Sequence, residues 1–222
     1  MPTERKHREE IVRYGRTLHE KGFVAAMDGN LSVRLRQDRI LVTPTGLSKG
    51  SMRPADLVIV DLEGKQVAGR RHVTSEIGMH LMIYRVRPDV SAVVHAHPPT
   101  ATGFAAAGRG LDEALVSEIV ISLGKVPLAG YATPGTTDLC DCIEPFMEDH
   151  DAVLMANHGV VTCGDDLLTA YMNMETVEHY AKISLVAHQL GTKCPLSDEQ
   201  VEGLLKIRSR IREMRSLQKN RA

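Results

Sequence analysis

The chain has 222 residues, with 27 Lys and Arg against 28 Asp and Glu, ten His, four Cys, no Trp, five Tyr and three Phe. A net charge of −1 gives no general positive field for nucleic acid or an anionic membrane, and no run approaches the roughly 18 apolar residues of a membrane span. Cys140, Cys142, Cys163 and Cys194 have no CxxC spacing and are too sparse for a disulfide scaffold, so four reduced thiols in a cytoplasmic protein are expected.

With 43% hydrophobic and 25% charged residues, the composition is that of one globular core. Residues 1–222 are read as a single domain with a frayed tail from about 216. The N-terminal Met1-Pro2-Thr3 leads into a charged amphipathic stretch without the apolar core of a signal peptide. Residues 4–21 place Ile11, Val12, Tyr14 and Leu18 at helical spacing before the C′ glycine Gly22. Leu31 to Leu35 alternates, a Gln37-Asp38-Arg39 turn follows, and Ile40 to Val42 resumes, which predicts a β-hairpin. A second hairpin joins Leu57–Val60 to Gln66–Ala68 around Glu63-Gly64. Ser75 to Arg87 is helical, ended by Pro88.

The second half alternates element types. Ala92–His95 reads as a buried strand, Thr100–Ala107 as a helix, Lys125–Leu128 as a strand and Thr136–Met147 as a helix. Ala152–Met155 and Val160–Cys163 read as strands around a turn. Asp165–Leu190 and Ser197 to about Arg215 are closing helices, acidic at their starts as the helix dipole favours. Without repeats or long linkers, this is an α/β domain: a mixed, largely antiparallel sheet flanked by helices.

Side chains at i and i+2 of an extended segment project to one side, so His95 and His97 of His95-Ala96-His97 converge as metal ligands would. Taken alone, they are better explained as two partly exposed histidines at a strand end. His158, in the turn Asn157-His158-Gly159, belongs to a strand connection that can present it to the same space. Three neutral imidazoles suit Zn²⁺ or another divalent ion and leave positions for a carboxylate or a substrate oxygen. Glu76, in Thr74-Ser75-Glu76 at a helix start, supplies a carboxylate. On its own it is ordinary dipole complementarity, and Thr74 or Ser75 can cap that helix. His80, four residues on, has no partner in the sequence and is read as structural. Gly29-Asn30 and Thr45-Gly46 are turns able to aim N–H groups and short polar side chains at a phosphate, together with Thr74 and Ser75.

The ordered set Gly29-Asn30-Leu31-Ser32, Thr43-Pro44-Thr45-Gly46, Thr74-Ser75-Glu76 with Met79-His80, Val94-His95-Ala96-His97-Pro98, Tyr131 to Thr136 and Asn157-His158-Gly159-Val160 resembles the class II aldolase/adducin family, nearest to its L-fuculose-phosphate aldolases. The match covers roughly residues 8–210. The resemblance implies a three-layer α/β/α fold and a homotetramer with active sites between neighbouring subunits. It implies one divalent metal, usually zinc with manganese or cobalt as alternatives, held by His95, His97 and His158. Glu76 then sits at the metal as acid/base, and Gly29, Asn30, Thr45, Gly46, Thr74 and Ser75 bind the substrate phosphate.

The implied activity is reversible cleavage of a ketose 1-phosphate, of the L-fuculose or 5-deoxyribulose type, to dihydroxyacetone phosphate and a short aldehyde. Fuculose-phosphate aldolases carry tyrosines where Val116 and Ile211 stand here; Tyr131 and Glu118 are the substitute proton donors. Within the same superfamily, epimerases carry aspartate at the position of Glu76, dehydratases and decarboxylases are alternatives, and adducin-like interaction domains lack the metal set.

Overall fold

The computed structural model describes residues 3–36 and 38–219. The first helix, α1 (Glu4–Glu20), starts where the Thr3 hydroxyl accepts from the Lys6 N–H and ends before Gly22, whose φ of 70° is left-handed. Both expected hairpins form: β1 (Asn30–Arg34) with β2 (Arg39–Val42), and β3 (Val58–Asp61) with β4 (Gln66–Ala68), all antiparallel. The chain continues through α2 (Ile77–Val86), β5 (Ala92–Ala96), α3 (Pro99–Ala106), α4 (Ser117–Ser122), β6 (Leu128–Ala129), α5 (Thr137–Met147), β7 (Ala152–Met155), β8 (Gly159–Gly164), α6 (Leu167–Gln189) and α7 (Asp198–Lys219).

The eight strands form one sheet in the order β4-β3-β2-β1-β5-β8-β7-β6, antiparallel throughout except for the β6–β7 pair. Strand alternation divides the core in two. Leu31, Val33, Leu41, Val94 and Val160 face α1, α3, α4 and α6. Ile40, Val42, Val58, Val93, Val153 and Val161 face α2 and α5. This is the expected three-layer α/β/α fold with a mixed, largely antiparallel sheet. No helix among the described residues is long and apolar enough to cross a membrane.

Several local expectations are corrected. Helix α2 begins at Ile77, so Glu76 occupies the N-cap position rather than the first turn, and no side chain caps the helix; Thr74 Oγ1 instead accepts the Glu76 N–H at 3.4 Å. The strand expected at Lys125–Leu128 shrinks to Leu128–Ala129. Val126 pairs with Leu111, and Pro127, which has no N–H to donate, accepts the Leu154 N–H, so pairing changes partner at the proline. Helix α4 has no counterpart in the sequence reading: it is six residues long, and Ile119 and Val120, both buried, are β-branched and weak helix formers. Helix α7 runs to Lys219, past the expected end at about Arg215. Met1, Pro2, the turn residue Gln37 and the tail Asn220 to Ala222 lie outside the described residues.

Candidate active site

Register places the site. Asn30 at the start of β1 lies opposite His95 near the end of β5, and His95 lies opposite Val161 of β8. Leu31, Val33, Val94 and Ala96 point to the α1/α6 layer. Asn30, Ser32, Val93 and His95, the alternate residues, therefore share the face covered by α2. The turn between β7 and β8 carries His158 beside the end of β5, with Asn157 at a left-handed φ of 55°. Its next residue is a glycine for a steric reason: a Cβ on Gly159 would lie 2.5 Å from His97 Cδ2 and 2.7 Å from the Ala96 carbonyl oxygen.

These connections gather one ligand atom each from His95, His97 and His158 within 4.8 Å of one another. Glu76 joins them, with Oε2 3.3 Å from His95 Nε2 and Oε1 3.2 Å from His158 Nε2. His95 Nδ1 lies 2.9 Å from the Val160 carbonyl oxygen. A carbonyl only accepts, so Nδ1 carries the hydrogen and Nε2 presents a lone pair. That lone pair faces His97 Nε2 at 3.1 Å and the Glu76 carboxylate. Glu76 Oε1 is buried without a hydrogen-bond partner. Three imidazoles that each bring a ring nitrogen to one point, beside an unsatisfied carboxylate oxygen, are the ligand types of a divalent cation, so the three histidines, with Glu76 next to them, could hold one. Asp28 Oδ2 stands 3.5 Å from His97 Nδ1 and can orient that ring.

Burial pushes His95 down to about 3, against the pull of Glu76, and also depresses His97. Both rings are therefore neutral, the ligating form, at physiological pH. Burial acts to raise the Glu76 carboxyl, but His95, His158 and the Asn30 amide outweigh it and hold the group below the usual carboxylate range.

Beside this cluster opens a cavity of about 320 Å³, lined in part by Gly29, Asn30, Thr45, Thr74, Ser75 and Glu76. Five of the six expected phosphate residues thus share one wall. The sixth, Gly46, follows Thr45 in a left-handed turn at φ 68°. Two of these residues are engaged differently from expectation. The Asn30 side-chain amide is committed to Glu76 and His80 rather than turned to the cavity, and the Thr45 N–H donates to the His72 carbonyl, leaving its hydroxyl for a ligand.

The proton-donor candidates are not brought to the cluster within one chain. Tyr131 is 63% exposed, Glu118 lies exposed in the first turn of α4, and neither lines the cavity. Val116 precedes α4 and packs against the core.

Three contributors escaped the sequence reading. Lys49, 1% exposed, lines the cavity and donates from Nζ to the Met27 and Leu47 carbonyls, both at 2.8 Å; burial lowers it to about 8. Asp28 and His80 are the others. His80, read as lacking a partner, is fully buried and bonded through both ring nitrogens. The available signal was Asn30-Leu31-Ser32, two polar residues on one face of an otherwise apolar strand.

The family described as class II aldolase and adducin N-terminal domain matches residues 9–185. A 5-deoxy-D-ribulose 1-phosphate aldolase of Bacillus thuringiensis serovar kurstaki is 36% identical over 203 residues, 90% of this chain and 94% of the relative. A 3-oxo-tetronate 4-phosphate decarboxylase of Escherichia coli is 34% identical over 188 residues, covering 82% of this chain and 88% of the relative. A solved L-fuculose 1-phosphate aldolase superposes with a TM-score of 0.84 at 36% identity, covering 90% of this chain and 94% of its own.

Proposed function

The chain belongs to the class II aldolase and adducin family, and from that premise we propose that it is a divalent-metal-dependent aldolase. The reaction is reversible cleavage of a ketose 1-phosphate, of the L-fuculose 1-phosphate or 5-deoxyribulose 1-phosphate type, to dihydroxyacetone phosphate and a short aldehyde. The observation that carries this reading is the convergence of His95, His97 and His158 on a Glu76 oxygen that has no hydrogen-bond partner.

A zinc ion, or manganese or cobalt in its place, held by the three histidines with Glu76 beside them would supply Lewis-acid stabilisation of the charge that cleavage leaves on the dihydroxyacetone phosphate half. Glu76 gives a proton to the nascent carbon during cleavage and removes it during condensation. Backbone and hydroxyl donors of Gly29, Thr45, Gly46, Thr74 and Ser75 hold the phosphate, with the buried Lys49 ammonium on the same wall. That grip is remote from the reacting bond and keeps the substrate in register. The proton donor on the aldehyde side is assigned between Tyr131 and Glu118. Both lie outside the cavity of a single chain, so in the homotetramer proposed here the donor would reach the substrate from a neighbouring subunit. The spacing of the cysteines supports a cytoplasmic setting.

A second reading, decarboxylation of a phosphorylated 3-oxo sugar acid, is supported by the Escherichia coli relative. It leaves the same kind of negative charge and uses the same residues. Metal-loaded protein incubated with dihydroxyacetone phosphate and a panel of short aldehydes should form ketose 1-phosphates. No condensation with any of them, and no cleavage of the ketose phosphates, would sink the aldolase reading; carbon dioxide release from a 3-oxo acid phosphate would establish the second.

A further inference from the structure

Behind Glu76 lies a buried polar chain that the proposed chemistry does not use. From the N-cap of α2 onward, Glu76, His80 and Tyr84 follow one another at four-residue spacing, above Asn30 and Ser32 of β1, and Asn30, Ser32 and His80 are at most 3% exposed. A carboxylate only accepts, so Asn30 presents Nδ2 to Glu76 Oε2, at 2.7 Å, and its amide oxygen turns to His80. That oxygen also only accepts, so the hydrogen of His80 sits on Nε2, 2.5 Å away. His80 Nδ1 is then an acceptor and takes the Ser32 hydroxyl hydrogen at 2.7 Å. Ser32 Oγ in turn accepts from the Tyr84 hydroxyl at 2.8 Å. The direction of all four bonds follows from the charge at one end.

We infer that His80 is a positioning residue for Glu76: as an Nε2–H tautomer it locks the amide of Asn30, which pins Oε2 and leaves Oε1, bound by no hydrogen bond, to meet the substrate. Without the lock the Asn30 amide is free to invert, setting oxygen against oxygen where 2.7 Å now separates donor and acceptor. The inference rests on Glu76 acting as the acid/base; His95 and His97 have polar contacts of their own, to the Val160 carbonyl and to Asp28.

Two substitutions and one spectrum test it. His80→Leu keeps the bulk and removes both bonds, whereas the amide of His80→Gln can donate to Asn30 and accept from Ser32. Groups that orient a reacting carboxylate or ligand typically contribute on the order of 10–100-fold. His80→Leu is therefore expected to lower kcat by about that factor, with KM for the ketose 1-phosphate and the zinc content close to wild type. His80→Gln should recover most of kcat. Ser32→Ala, a milder change that frees Nδ1, should fall between them and serves should the leucine variant not fold. Nitrogen NMR of metal-free wild-type protein should show His80 with a bare Nδ1 and a protonated Nε2. A hydrogen on Nδ1, an unchanged kcat in His80→Leu, or equal losses in the leucine and glutamine variants would each overturn the inference. Absence of turnover in the wild type counts against the acid/base reading of Glu76 instead, and the tautomer in the metal-free protein still decides the lock.

Discussion

Gly159→Ala asks the smallest possible question of the metal cluster. The added Cβ would stand 2.5 Å from His97 Cδ2 and 2.7 Å from the Ala96 carbonyl oxygen. Carbon atoms settle at about 3.5–4.0 Å, so roughly 1 Å must be found. Ala96 is paired with Val160 in the β5–β8 ladder and cannot yield it. The His97 backbone is anchored by its N–H to the Phe23 carbonyl at 2.9 Å, but its side chain is 27% exposed and can swing outward. Metal–ligand distances tolerate only about 0.2 Å, so a displacement near 1 Å detaches one imidazole of three. Overpacking costs about 1–3 kcal/mol, which for a chain of this size lowers the melting temperature by about 2–12 °C. Zinc competition against a chromophoric chelator, with melts on the metal-free protein, separates the two effects. Zinc affinity should fall at least tenfold, in line with the cost of disturbing a ligand's support. A folded Gly159→Ala protein that binds zinc as tightly as wild type would show that His97 is not a ligand or that the turn is looser than this packing implies.

Three further outcomes follow from the same geometry. Glu76→Gln should keep its metal on the three imidazoles and lose about 10²–10⁴ in kcat, whereas His97→Ala should lose the metal itself; metal analysis with steady-state kinetics distinguishes them. His80 and His95, held by burial at about 4 and about 3, bind fewer protons folded than unfolded below about pH 6.5. The stability they permit is therefore full above that pH and lost as pH falls toward 4. His80 alone accounts for roughly 3 kcal/mol, so melts of chelated protein should show a decline that His80→Gln flattens; a flat wild-type profile would contradict this. Lys49→Met leaves the Met27 and Leu47 carbonyls without their ammonium donor. Since a hydrogen bond to a charged group contributes about 1.5–3 kcal/mol, inhibition by inorganic phosphate should weaken about tenfold or more; unchanged inhibition would remove Lys49 from the phosphate wall.

The layers of the fold were legible because they rest on local periodicity. The alternation in Leu31 to Leu35 and Ile40 to Val42, the helical spacing of residues 4–21 and the run Val93-Val94 each declare an element and a buried face without reference to anything distant. Short elements with weak local preference were not legible. Helix α4 owes its shape to burial of Ile119 and Leu123 in the core, and β6 to a change of partner at Pro127, neither of which is visible in a window of six residues.

The site divides along the same line. By itself the sequence determined the reactive groups: two imidazoles at i and i+2, a third in a turn, and a carboxylate at a helix start, in an order that identifies the family. Only the tertiary structure decided how they are oriented, because orientation is set by partners far away in the chain. Asn30, expected at the phosphate, is drawn to Glu76 and His80, 46 and 50 residues on. His80, without a partner in its own helix, finds Asn30 and Ser32 through the β1–β5 register and the packing of α2 over that face. Lys49 reaches the cavity because its ammonium satisfies two loop carbonyls at once. A buried donor must find its acceptor wherever the fold places it, and that requirement joins residues that no sequence spacing relates.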